Sequence, residues 1–205
     1  MQVNKQVKCD KFPCMDVKHE CYIVPHIQVQ PNDISMMLIS EAAPVEASDS
    51  YYAEGDPLFQ QTTVQAFNDA GVKAGSIQDL LDLGVYLTTA VKCGKTGYGI
   101  KAATINECSL ILEQEIALFP NIKVFLLMGD VAIKSVNYIA RRNGQPRVIP
   151  AGSTYKIRGQ KYFFRGARAF PSYLQAGPSF FIEKSKRKMI AEDIAEAMSL
   201  VTTHL

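Results

Sequence analysis

Val124-Phe-Leu-Leu-Met-Gly-Asp-Val-Ala132 is the stretch that decides the architecture. Val124 to Met128 is short and continuously apolar, the pattern of a strand covered on both faces. Gly129-Asp130 then opens a helix that runs to about Arg142. A buried strand passing directly into a helix is the repeating unit of a parallel sheet.

Outward from this unit the same alternation recurs. Ser35 to Ser40 reads as another continuously apolar strand, and Val85 to Val91 as a β-branched one. A fourth strand lies near Arg165 to Phe170. Between them, Gln61 to Ala70 (closed by Gly71) and Ile77 to Leu83 read as short helices. Thr104 to Leu118 is strongly amphipathic, with Ile105, Cys108, Ile111, Leu112, Ile116 and Leu118 on one face, and Pro120 ends it. Ile182 to Leu200 is a last helix with basic first turns, while Pro146 to Gly166 reads as irregular. The expectation is an α/β fold: three αβα layers around a central, mostly parallel four-stranded sheet, in a single domain over residues 1–205. Sites in such sheets form at the carboxyl ends of strands, here Glu41, Thr89, Gly129 and Phe170 to Ser172.

Bulk properties narrow the function classes. The 205 residues suit one sizeable domain, with 47% hydrophobic and 20% charged residues and no biased tract. A net charge of +2 gives no global nucleic-acid signature, so any basic surface is local. No apolar run reaches the roughly 18 residues that cross a bilayer. The opening MQVNKQVKCDKF lacks an apolar core for export, so a cytoplasmic, intracellular protein without membrane contact is expected.

In that setting five cysteines point to metal or redox chemistry rather than disulfides. Cys9, Cys14 and Cys21 lie in an N-terminal segment (residues 1–30) where Pro13 and Pro25 discourage regular structure. Cys93 follows a strand, and Cys108 sits on the next helix. Four thiolates converging from three segments suit a [4Fe-4S] cluster, and tetrahedral zinc takes the same set. The alternative for Cys108 is a buried apolar residue on a helix face.

Several ordered stretches resemble the iron–sulfur (thermophile-type, family four) group of the uracil-DNA glycosylase superfamily. Met37-Leu-Ile-Ser-Glu-Ala-Ala-Pro44 is similar to that group's strand followed by Gly-Glu-x-Pro-Gly. Val85-Tyr-Leu-Thr-Thr-Ala-Val-Lys-Cys93 is similar to its Val-Tyr-Ile-Thr-Asn-Val-Val-Lys-Cys. Glu107-Cys108 falls at its helical cysteine, and Val124 to Ala132 at its strand, glycine and helix start. Lys156-Ile-Arg-Gly159 and Phe170-Pro-Ser-Tyr-Leu174 resemble its Lys-x-Arg-Gly and His-Pro-Ser-Tyr-Leu. The resemblance spans about residues 9 to 175.

The resemblance implies a hydrolase of DNA repair that flips a damaged base from DNA and cleaves its glycosidic bond in base excision repair. It makes Cys93, Cys108 and Cys14 cluster ligands, with either Cys9 or Cys21 as the fourth, and a structural role for the cluster. Glu41 becomes the acid that positions or activates water; Ala42, Phe59, Thr89 and Phe170 become the base pocket, with Phe59 stacking on the flipped base. Lys156, Arg158, Arg168, Pro171, Ser172 and Tyr173 become DNA contacts, flanked by Arg165 and the Lys184-Ser-Lys-Arg-Lys188 run.

Two positions depart from the pattern. The group's base-reading Asn is Thr89, and a lone hydroxyl cannot match a pyrimidine's donor and acceptor together. Its His, which steadies the departing base, is Phe170, and loss of such a donor costs on the order of 100-fold or more in rate. The chain's histidines, His19, His26 and His204, are all distant in sequence. Three readings follow: a glycosylase, expected to act as a monomer, with altered base preference; a DNA- or nucleotide-binding module with little or no excision; and a hydrolase of free nucleosides or nucleotides using Glu41.

Overall fold

The computed structural model describes residues 1–97 and 99–202; His204 lies outside them. Its sheet has six strands in the order β1-β3-β2-β4-β6-β5, where four are expected from the sequence. The four expected strands form the parallel centre: β3 (Val85–Lys95), β2 (Met36–Ala43), β4 (Val124–Met128) and β6 (Ala167–Ser172). The additional strands, β1 (Val17–Lys18) and β5 (Tyr162–Phe164), add antiparallel edges. Two or three residues are too few to carry an alternation, so neither edge is legible in the sequence.

The expected helices are present with shifted ends: α1 (Leu58–Asp69), α2 (Ile77–Asp82), α3 (Ala102–Ile116), α4 (Asp130–Arg142) and α7 (Lys184–Thr202). Two single-turn helices are added: α5 (Thr154–Ile157), inside the segment read as irregular, and α6 (Ser179–Ile182), just before the last helix. Gly94, beyond the expected end of the strand at Val91, belongs to β3. A Cβ there would meet both Cys21 Cβ and the Pro44 carbonyl oxygen at 2.9 Å, so glycine is what lets the N-terminal segment close on the strand.

Alternate strand residues feed two apolar layers, as the pleat requires. Met37, Ile39, Phe125, Leu127 and Ala169 pack with α3, α4 and the N-terminal segment. Met36, Leu38, Leu126, Met128 and Phe170 pack beneath α1, α2 and α7. The architecture is thus α/β with helices on both sheet faces.

One polar pair lies wholly inside the first layer. Lys92 of β3 and Glu115 of α3 form an ion pair with both side chains fully buried. Glu115 Oε1 also accepts from Tyr86 Oη at 2.5 Å and Thr88 Oγ1 at 2.9 Å, while Lys92 Nζ donates to Thr88 Oγ1 and the Thr89 carbonyl. Every charge in the group has a partner, the condition under which buried ions are tolerated. Lys92→Met is expected to destabilise the fold by about 3–5 kcal/mol, because it strands Glu115 without a cation. Urea unfolding checks this, and Lys92→Met with Glu115→Leu should recover most of the loss.

Candidate functional site

Glu41 lies near the carboxyl end of β2, just before the register with β3 shifts between Ala42 and Ala43. Such irregularities re-aim side chains. The Glu41 carboxylate lies over Gly129, the first residue after β4. A Cβ at Gly129 would stand 2.7 Å from Glu41 Oε1, and its φ of +98° is a glycine conformation. Lys95, at the end of β3, pairs with the same carboxylate at 3.6 Å. Glu41 and Lys95 then open into a cleft of about 280 Å³, whose other walls include Ala42, Pro44, Phe59 and Leu174.

Phe59 is the partition of the site. It faces the Glu41 cleft on one side and, on the other, a cavity of about 20 Å³ shared with Tyr51, Tyr52 and Thr89. That cavity holds about one water and no base. Tyr51 and Phe59 pack at 5.3 Å, and Tyr52 Oη bridges the backbone of Leu87, so the aromatic wall is braced from behind. Behind it, Gln175 donates to Tyr51 Oη at 2.8 Å, and Tyr51 Oη donates to Ser40 Oγ at 2.8 Å.

Phe170 is not on the cleft. It pairs with Leu126 two residues inside the end of β6, and its ring, 1% exposed, belongs to the layer under α7. The Arg168 guanidinium caps it at 4.3 Å and donates to the Ala169 carbonyl. The reason is register: even-numbered β6 residues face α7, and Phe170 falls on that side.

The expected DNA contacts separate by burial. Arg168 is buried and reaches Glu196 at 3.6 Å. Arg158 pairs with Asp193 at 2.7 Å and Glu192 at 3.0 Å. Ser172 is fully buried and donates to Asp193, whose carboxyl burial pushes above the usual range. These three side chains are thus bonded within the chain itself. Pro171 is buried as well, while Tyr173 is half-buried and Lys156 exposed. Arg165 is held by Glu113.

Cys9, Cys14, Cys93 and Cys108 line one cavity of about 50 Å³ between the N-terminal segment, β3 and α3. Cys21 lies apart and donates to the Val45 carbonyl at 2.9 Å. Burial pushes the Cys93 thiol up to about 12 and Cys108 to about 11, so metal entry there must displace protons. The Lys92 amide donates to Cys108 Sγ at 3.2 Å. Asp16 accepts from Thr104 and from the Lys101 amide, tying the cysteine segment to the start of α3. Among the described residues no three His, Cys, Asp or Glu side chains converge on a single ion. Four thiols around one cavity suit, in donor chemistry, either a [4Fe-4S] cluster or one tetrahedral ion.

Sequence reasoning missed Lys95 and the Tyr51-Ser40-Gln175 network. Lys95 lies two residues beyond Cys93, and strand periodicity extended past Val91 would have found it. The network joins residues more than 100 positions apart and leaves no local signal.

Phe170→His places an imidazole in an apolar layer and leaves the cleft unchanged. The expected cost is about 1–3 kcal/mol, measured by denaturant unfolding.

No family model matches the chain. Over 124 residues it is 25% identical to the type-5 uracil-DNA glycosylase of Thermus thermophilus, an alignment covering 60% of this chain and 53% of that protein. The matched region thus spans about half the relative's length. At this distance the likeness supports kinship with the uracil-DNA glycosylase superfamily and goes no further than that.

Proposed function

We propose that the protein is a DNA glycosylase of base excision repair, resembling the iron–sulfur group of its superfamily, with altered base recognition. The observation that carries this reading is the Glu41 carboxylate, set against Gly129 at the carboxyl edge of the sheet and paired with Lys95 in a cleft walled by Phe59. The distant likeness to a uracil-DNA glycosylase supports it. In this reading the flipped nucleotide enters the cleft and its base stacks on Phe59. Glu41 orients water at the sugar carbon and steadies the positive charge that grows there as the glycosidic bond breaks. Lys95 holds the carboxylate in place. The departing base receives no imidazole, so uracil is a slow substrate and bases that leave more readily are favoured. The protein acts inside the cell, as a monomer.

Purified protein is expected to leave alkali-labile abasic sites in duplexes or single strands carrying uracil, hypoxanthine or xanthine, and Glu41→Ala to reduce cleavage at least 100-fold. DNA binding without abasic product from any base would refute the enzyme. It would favour a second reading, a DNA-binding module, for which the small 20 Å³ cavity at Thr89 and the core position of Phe170 speak.

Cys9, Cys14, Cys93 and Cys108 hold a [4Fe-4S] cluster in this proposal, and the cluster pins the N-terminal segment against β3 and α3. Their shared cavity supports that set, with Cys9 rather than Cys21 as the fourth ligand. Protein purified without oxygen should be brown and carry about four irons per chain. Cys21→Ser should keep them, whereas Cys9→Ser and Cys93→Ser should lose them; colourless protein with stoichiometric zinc would overturn the assignment.

A further inference from the structure

The largest cleft described in the molecule is not the one at Glu41. It is a groove of about 640 Å³ between α4 and the segment 145–157, a segment the sequence shows as irregular. Its floor is one face of α4, with Asp130, Lys134, Tyr138 and Arg141 at helical spacing, and Arg147 on the opposite wall. Asn137 fixes the two walls together: its amide donates to the Ile149 carbonyl and accepts from the Ile149 amide, both at 3.0 Å. The groove is therefore built into the fold.

Charge is what distinguishes it. The neighbouring Arg142 and Arg165 are both satisfied by Glu113. Arg141 and Arg147 are exposed, and among the described residues neither guanidinium has an ion pair or a side-chain hydrogen bond. Asp130, the groove's carboxylate, is already paired with Lys134. Two guanidiniums are thus free, and the lining as a whole is cationic. The groove also starts where the Glu41 site ends, since Asp130 directly follows the Gly129 on which Glu41 rests.

We propose that this groove is a track for the sugar–phosphate backbone of the DNA strand running out of the Glu41 cleft. Arg141 and Arg147 bind successive phosphates there, and Tyr138 offers a face to a base. The dimensions fit. The eleven helical rises from Asp130 to Arg141 span about 16 Å, the length of about four or five stacked nucleotides. The inference rests on the reading of the protein as one that acts on DNA.

The test is the salt dependence of binding. Fluorescence anisotropy with an end-labelled oligonucleotide, single-stranded and duplex, gives log K against log [NaCl] for the unaltered protein, for Arg141→Ala with Arg147→Ala, and for Lys73→Ala, an exposed charge on another face. Two lost phosphate contacts should lower the slope by about 1.4–1.8 and weaken binding, whereas Lys73→Ala should leave both unchanged. Circular dichroism and melting of the double variant should match the unaltered protein, because neither arginine side chain is bonded within the fold. An unchanged slope in the double variant, beside normal binding by the unaltered protein, overturns the track and leaves the glycosylase reading standing. So does a slope change equal to that of Lys73→Ala. An unaltered protein that binds no oligonucleotide at any salt sinks the DNA reading, and the track with it.

Discussion

The buried pair of Lys92 and Glu115 holds the two halves of the molecule's chemistry in register. Lys92 stands between Thr89, whose carbonyl it binds, and Cys93. Its amide also reaches Cys108 on α3. Glu115 draws Tyr86 and Thr88 to the same point from below. One contact between β3 and α3 therefore sets where the pocket strand lies and where two thiols meet. Neither ion could remain in that layer alone, since desolvating a single charge costs several kcal/mol. Strand and helix are bound to a unique alignment.

From that alignment the site divides into an acid half and a recognition half with Phe59 between them. The acid half is open: Glu41 has a cleft, a cation and a glycine shaped to receive it. The recognition half is tight, because Thr89 faces a cavity of about one water behind braced aromatic rings. A base that reached Thr89 would have to move Phe59 or Tyr52. In the proposed reading, hydrolysis needs chiefly the first half and base selection the second, so selectivity can drift while cleavage chemistry is kept. Basic groups divide in the same way. Arg158 and Arg168 are spent on α7, and the free guanidiniums line the two walls of the groove beside α4 instead.

The sequence by itself determined the α/β class, the four parallel strands and the five longer helices, because these rest on local periodicity that burial enforces. It also supplied five candidate cysteines, with Cys9 and Cys21 left as alternatives, and a glutamate at the end of a strand. Tertiary structure decided what periodicity cannot carry. The edge strands at Val17 and Tyr162 are too short to alternate, and they form only because a neighbour offers unpaired backbone groups. Cys9 was parted from Cys21 by the fold of an irregular segment, and Lys95 was brought to Glu41 by a register shift. Phe170 went into the core and Arg168 over its ring because side chains on β6 alternate and α7 covers that face. Which arginine stays free depends on which carboxylates lie near it, and only the folded chain sets that distance.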